Sequence, residues 1–162
     1  MTSKPATILR PGKVTLDEIR KVIKDAKNDE FITKETDKEI KPRSPGMKYR
    51  HYSPNAKVII IEGNEKKSIK KAQTLLKDYR KQGKKVCVIR RGSVDFNKAH
   101  IIKQLREEHK VIAKEMFRVF RECDQEDVDI IIVKAVEEKG LGVAIMNRLR
   151  KAAYMIINVD NE

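Results

Sequence analysis

The residues best suited to chemistry lie in one irregular stretch, Ser44–Pro54, which reads SPGMKYRHYSP. Two prolines and a glycine in this stretch prevent a continuous helix. Between them stand side chains that can contact rings and phosphates: Lys48, Tyr49, Arg50, His51 and Tyr52. Tyrosines on an irregular segment usually dock onto a partner, and nucleotides are suitable ones. The alternative is an ordered strap between domains whose tyrosines pack on the protein itself, and composition favours neither.

Two glycine-containing loops could accept an anion at a helix N-terminus. Glu62-Gly63-Asn64 follows an apolar run, and Gly140-Leu141-Gly142 opens a periodic segment. The chain has neither the G-x-G-x-x-G nor the G-x-x-x-x-G-K-[ST] fingerprint, so ordinary turns are favoured over phosphate sites. We therefore expect no cofactor in this part of the chain.

Catalytic and metal-binding patterns are absent from the sequence. His51, His100 and His109 lack acidic or thiol companions at ligand spacing, and no serine lies in a nucleophile motif. Neither the Asp127/Asp129 pair nor Glu137-Glu138 is distinguished from a charged surface as a general-acid pair. Near the end of the chain, a basic helix face for RNA could come from Asn147, Arg148, Arg150 and Lys151, although a solvated face is commoner.

The composition limits the class of protein. The 162 residues carry a net charge of +13, spread along the chain, which suits a nucleotide or RNA partner but also a lysine-rich solvated surface. High charge without tryptophan is typical of heat-adapted organisms. Cys87 and Cys123 form no C-x-x-C pair and are expected to be buried thiols. No signal peptide or membrane span is evident, so a cytoplasmic location is expected.

The apolar pattern predicts the elements that position these residues. Thr15 begins a capping box, and the periodicity predicts a helix from Thr15 to about Lys27. Residues 28–43 are interpreted as a charged loop. After residue 56, apolar strand runs alternate with helical periodicity; the strands are predicted at residues 58–61, 86–89, 100–102, 130–133 and 155–159. This alternation predicts an α/β fold: a three-layer Rossmann-like sandwich with a mainly parallel sheet, preceded by a helix and an irregular linker.

Three segments together carry a family resemblance. SPGMKYRHYSP resembles the linker of the two-domain, SUA-type threonylcarbamoyl-AMP synthases. ILRPGKVTLDEI, from Ile8 to Ile19, is similar to the end of their YrdC-like catalytic domain. EEKGLGVAIMNRLRKAA, from Glu137 to Ala153, is similar to the last helix of their C-terminal domain. The resemblance implies a division into a catalytic-domain remnant (residues 1–27), a linker (28–56) and a C-terminal α/β domain (57–162).

The family joins L-threonine, bicarbonate and ATP into threonylcarbamoyl-AMP and pyrophosphate, from which partner proteins modify tRNA. The resemblance implies that Arg10 contacts the ATP phosphates and that the linker tyrosines Tyr52 and Tyr49 bind the nucleotide, with Tyr52 favoured for the ATP contact. It also implies that Lys48, Arg50 and His51 belong to a lid over the pocket. ATP would be a substrate of the complete enzyme, with Mg²⁺ as a possible companion that this chain does not encode. The expected partners are a YrdC-like catalytic domain, indirectly the threonylcarbamoyl-transfer proteins, and tRNA, but no membrane.

The sequence therefore supports one main hypothesis and two alternatives. The main hypothesis is the lid and regulatory portion of a nucleotidyltransferase, inactive without its catalytic domain. The first alternative is a stand-alone basic α/β module that binds tRNA or another nucleic acid. The second is a small-molecule enzyme that uses the strand-end loops beside Gly63 and Gly140.

Overall fold

The computed structural model describes residues 5–29, 32, 53–106 and 108–161. The elements in chain order are β1 (Thr7–Ile8), α1 (Leu16–Arg20), β2 (Lys27–Asn28), β3 (Lys57–Glu62), α2 (Glu65–Lys81), β4 (Val86–Arg90), β5 (Ile101–Gln104), α3 (His109–Gln125), β6 (Ile130–Lys134), α4 (Leu141–Ala152) and β7 (Ala153–Asn158). They fall into two compact units: Met1–His51 with Val136–Lys151, and Tyr52–Ala135 with Ala152–Glu162. The three-part division implied by the family resemblance stays a prediction.

The larger unit is built on a five-stranded sheet in the order β5-β4-β6-β3-β7, with every neighbouring pair parallel. The central strands are runs of isoleucine and valine, since both faces of a covered parallel sheet are buried and successive side chains of each strand are therefore apolar. Ile59 is paired in register with Ile132, and both are buried. The predicted Rossmann-like α/β sandwich with a parallel sheet is confirmed.

The two faces of the sheet are covered by different helices. On one face, Ile59 and Ile132 pack in a cluster with Ala72 and Leu76 of α2. The intervening strand residues point to the opposite face, since side chains alternate along a strand. There Cys87 of β4 meets Cys123 of α3 through a side-chain hydrogen bond. The sheet with α2 and α3 therefore forms the three layers.

The smaller unit combines the N-terminal segment with α4. The predicted capping box is present: the Thr15 hydroxyl accepts from the backbone N–H of Glu18, and the Glu18 carboxylate accepts from the backbone N–H of Thr15. The predicted length of the helix was wrong, because α1 ends at Arg20 and Val22 is 85% exposed. Residues 27–28 instead form β2, which pairs in parallel with β1 and which the loop interpretation of residues 28–43 had missed.

Both cysteines are free and buried, as expected from the sequence. The hydrogen bond from Cys87 to Cys123, with burial, raises the pKa of the Cys87 thiol and so disfavours its reactive thiolate. The same hydrogen bond lowers the pKa of its partner Cys123.

We expect neither thiol to react with a water-soluble disulfide reagent while the chain is folded, and both to react in denaturant. The physical reason is that attack requires an accessible thiolate, and burial removes the access. The measurement is thiol titration with and without 6 M guanidinium chloride. Rapid modification of one thiol under native conditions would contradict this placement.

Candidate functional site

The predicted lid lies outside the described residues. This applies to all five of its members: Lys48, Tyr49, Arg50, His51 and Tyr52. Their roles therefore remain predictions. Of the predicted nucleotide-binding residues, Arg10 is the one that the structure describes.

Arg10 lies shortly after β1 in the smaller unit and has an exposed side chain. Its charge acts on two cations of α4. Burial, and then the charge of Arg10, lowers the pKa of Arg148. Burial, then Arg10 and then Arg148, lowers the pKa of Lys151. Arg10, Arg148 and Lys151, named here the cation cluster, thus lie close enough to repel one another.

No described carboxylate forms an ion pair with any member of the cation cluster. The Arg148 guanidinium donates one hydrogen bond to the Ala144 carbonyl, 3.3 Å away, within its own helix. Three mutually repelling cations, of which Arg148 and Lys151 are partly buried, favour an anion, and a phosphate with several oxygens suits guanidinium groups best. Within the described part of the chain, this cluster is the strongest anion-attracting feature of the smaller unit.

The basic helix face that the sequence offered as an alternative at Asn147, Arg148, Arg150 and Lys151 is reduced to Arg148 and Lys151. Asn147 is buried, and its side-chain amide donates to the Ile32 carbonyl at 3.4 Å. Arg150 makes a bidentate contact with the Glu138 carboxylate, at 2.9 and 2.5 Å. Two of the four residues are therefore structural, because α4 packs within the smaller unit instead of presenting this face to solvent.

In the loop at Gly63, a backbone N–H group donates to a carboxylate of the chain itself. The backbone N–H of Asn64 donates to Asp160 Oδ2 at 3.0 Å, while the Asn64 side chain accepts from Lys66 and Lys67 and caps α2. The N–H groups that could have held a phosphate are thus already bonded. This arrangement agrees with the preference for turn chemistry and weakens the hypothesis of a small-molecule enzyme at this loop.

The second loop is also a structural turn. Gly140 has φ +53°, a conformation that favours glycine, and Gly142 is buried and donates to the Lys139 carbonyl at 2.9 Å. The tight turn that leads into α4 therefore explains the spacing of Gly140 and Gly142.

The carboxylates considered as acids are engaged in structural contacts. Asp129 accepts from the backbone N–H of Lys85 at 2.8 Å and from Lys84 Nζ at 3.3 Å, and these contacts lower its pKa. Glu137 pairs with Lys139, and Glu138 with Arg150. The backbone N–H of Val86 donates to His100 Nδ1 at 3.1 Å. In the described residues, no group of three or more His, Cys, Asp and Glu side chains could hold a metal ion.

Sequence reasoning missed two relationships that depend on the fold. It named Arg148 and Lys151 but did not connect them to Arg10, more than 130 positions away. It did not identify Asp160 as the partner of the Gly63 loop, which lies 96 positions earlier. Neither pairing leaves a local pattern in the sequence.

The fold and these residues define a Rossmann-like α/β module joined to a smaller unit with a cation cluster. A family model described as "Threonylcarbamoyl-AMP synthase, C-terminal domain" matches residues 14–154, and the chain belongs to this family. No helix among the described residues is long and apolar enough to cross a bilayer.

Individual relatives agree with this assignment. A threonylcarbamoyl-AMP synthase of Pyrococcus abyssi is 43% identical over 161 residues, which cover 98% of this chain and 46% of the relative. The synthase of Bacillus subtilis is 36% identical over 149 residues, covering 90% of this chain and 41% of the relative. The chain thus spans less than half the length of the curated relatives it matches.

Solved structures show the same relationship. A crystal structure of P. abyssi Sua5 complexed with L-threonine has a TM-score of 0.84 and 41% identity, covering 98% of this chain and 45% of that one. A crystal structure of the C-terminal Sua5 domain from Pyrococcus horikoshii has a TM-score of 0.55 and 41% identity, covering 65% of this chain and 98% of that one.

Proposed function

We propose that this chain is the lid and regulatory portion of a threonylcarbamoyl-AMP synthase, which joins L-threonine, bicarbonate and ATP and releases pyrophosphate. Membership of the family supports the activity of the complete enzyme. The single observation that carries the proposal is the match of residues 14–154 to the family's C-terminal domain, and the cation cluster of Arg10, Arg148 and Lys151 supplies positive charge for phosphates. The product would supply the threonylcarbamoyl group for tRNA modification by partner proteins.

In this proposal, Arg10 contacts the phosphates of ATP that is bound in a YrdC-like catalytic domain. A charge-assisted contact to phosphate offsets the repulsion that Arg10 experiences from Arg148 and Lys151. Pyrophosphate carries more negative charge as it leaves, so cations placed nearby stabilise the transition state more than the ground state. The cluster therefore assists departure of pyrophosphate without transferring a proton.

The segment Ser44–Pro54 acts as the lid in the same proposal. Tyr52, with Tyr49, covers the adenylate and donates a hydrogen bond to a phosphate oxygen. Lys48, Arg50 and His51 complete the lid. A mixed carbamic–phosphoric anhydride is hydrolysed by water, so exclusion of water preserves the product. The support for this step is the family resemblance of the segment.

The test adds the chain to a separately purified YrdC-like catalytic domain of the P. abyssi relative. Pyrophosphate release is measured with ATP, threonine and bicarbonate. We expect the chain to raise the rate severalfold, and the Tyr49→Ala/Tyr52→Ala variant to lose this effect. Arg10→Ala should lower kcat/KM for ATP by at least about tenfold, because a hydrogen bond to a charged group contributes roughly 1.5–3 kcal/mol and is strongest in the transition state.

Lys13→Ala is the matched control, since Lys13 is an exposed cation of the same N-terminal segment. Equal kcat/KM values for the Arg10 and Lys13 variants would reject the role of Arg10. A second arm fuses the chain to the catalytic domain in the order of the relative. If the rate of pyrophosphate release by the mixture and by the fusion equals that of the catalytic domain alone, the lid proposal is wrong.

A further inference from the structure

The two helices that cover the sheet have very different charges although each has 17 residues. α2 carries seven lysine or arginine residues against two acidic residues, a net charge of +5. α3 carries four against three, a net charge of +1. On α3 the charges are paired: Arg118 contacts Glu115 and Glu122. Of the two helices that cover the sheet, α2 therefore carries the larger positive excess.

A cavity lies on this side, between α2 and residues 95–98 of the β4–β5 connection. Its volume is about 500 Å³, within the range of roughly 300–1,000 Å³ that is typical of ligand pockets. Three exposed lysines line it: Lys70 and Lys77 from α2, and Lys98 from the connection. None of the three forms an ion pair with a described carboxylate. We name this cavity the α2 pocket.

Hydrogen bonds to backbone carbonyls hold the rim of the α2 pocket in place. Arg80 donates to the Lys98 carbonyl at 2.5 Å, and the backbone N–H of Ala99 donates to the Phe96 carbonyl at 2.7 Å. Phe96 is buried in the cluster that contains Leu76, and both residues line the pocket. The three lysines thus line a cavity whose wall also includes the buried side chains of Leu76 and Phe96.

The remaining side chains distinguish among polyanions. Gln73, Asn97 and Asp95 line the pocket with amide and carboxylate groups. The Asp95 carboxylate repels any polyanion, but it can accept a hydrogen bond from a ribose 2′-hydroxyl or a base amino group. A membrane surface is disfavoured because every exposed residue of α2 is polar or charged. Three lysines that line one cavity can contact several phosphates of one RNA strand.

We propose that the α2 pocket binds an RNA strand, with Lys70, Lys77 and Lys98 on consecutive phosphates and Asp95 on a ribose or base donor. This surface belongs to the larger unit and is independent of the cation cluster. The proposed RNA interface lies on α2 and does not use the helix residues 147–151 that the sequence offered as an alternative.

The test measures fluorescence anisotropy of a labelled tRNA transcript and a 12-nucleotide oligoribonucleotide with the 162-residue chain, from 50 to 200 mM salt. The variant Lys70→Gln/Lys77→Gln/Lys98→Gln should bind both RNAs at least tenfold more weakly. Its slope of log affinity against log salt should be smaller by about 2, because single-stranded contacts contribute about 0.7 each.

The matched control is Lys110→Gln/Lys114→Gln/Arg121→Gln, which removes three exposed positive charges from α3. We expect it to change affinity less than twofold. Asp95→Asn should reduce the ratio of the affinity for the 12-nucleotide RNA to the affinity for DNA of the same sequence, which is measured in the same way. Circular dichroism checks that each variant is folded.

Three outcomes would overturn the proposal. One is an equal loss of affinity in the two triple variants, which would indicate net charge alone. Another is the absence of RNA binding at 50 mM salt. The last is displacement of the RNA by poly-glutamate as effectively as by unlabelled RNA, which would indicate an acidic protein partner.

Discussion

Replacing Ile132 by alanine is expected to lower the free energy of unfolding by about 3–4 kcal/mol, since deletion of a buried isoleucine side chain costs roughly 2–5 kcal/mol. Ile132 lies on β6, the middle strand of the sheet, and is 1% exposed. It packs with Ile59 and with α2, so a cavity at this site cannot be filled by solvent or by movement of an edge.

The matched variant is Ile102→Ala on β5, which is an edge strand of the same sheet. Ile102 is 38% exposed, and its loss should cost less than about 1 kcal/mol. Urea unfolding followed by circular dichroism gives both values. Equal destabilisation by the two variants would contradict the strand order, because it would place Ile102 in the core.

Gly63→Ala is expected to destabilise the fold by about 3 kcal/mol, from backbone strain of roughly 1–3 kcal/mol and overpacking of similar size. Gly63 has φ +105°, which L-residues rarely adopt. A Cβ at this position would lie 2.7 Å from Asp160 Oδ2 and 3.0 Å from Val159 Cγ2. Moving Asp160 away would also break its hydrogen bond from the backbone N–H of Asn64.

Gly83→Ala separates the two causes. Gly83 follows α2 at φ +73° and has no atom within 4 Å of an added Cβ, so strain alone applies, at about 1 kcal/mol. Thermal unfolding should show a drop in Tm about three times larger for Gly63→Ala. Equal drops would indicate that Asp160 does not hold the Gly63 loop.

The strands of the sheet could be predicted because the apolar pattern that specifies each strand is local. Runs such as Val58–Ile61 and Ile130–Val133 are apolar on both alternating positions, and a strand buried on both faces is the simplest structure that uses them. The order of the strands, and hence the difference between Ile132 at the centre and Ile102 at the edge, follows from long-range pairing that no window of sequence contains.

The first helix shows where periodicity fails. Leu16, Ile19 and Ile23 recur at helical spacing, yet α1 ends at Arg20. Beyond it, the backbone N–H of Lys27 donates to the Ala6 carbonyl at 3.0 Å, and that of Asp29 to Ile8 at 2.9 Å. The first of these bonds uses the N–H of Lys27, which a helix that extended to Lys27 would have required, so tertiary context prevailed over local preference.

The candidate site was predictable only where a motif is contiguous. The ILRPG and SPGMKYRHYSP strings indicated the family and, through it, Arg10 and the lid tyrosines. The cation cluster depends on α4 returning to the N-terminal segment, and the α2 pocket depends on residues 95–98 meeting α2. The positive excess of α2 could have been found by counting charged residues helix by helix. The net charge of the whole chain does not show it.

The position of β7 has a consequence for biosynthesis. β3 leaves the ribosome first among the strands of the large sheet, yet one of its two neighbours is β7, about 100 residues later. At roughly 5–20 residues per second, the nascent chain carries an unpaired β3 edge for about 5–20 s. An open strand edge of isoleucines invites pairing with other chains during that interval. Synthesis that stops before Ala153 would leave this edge open permanently, which makes such fragments natural clients for a chaperone.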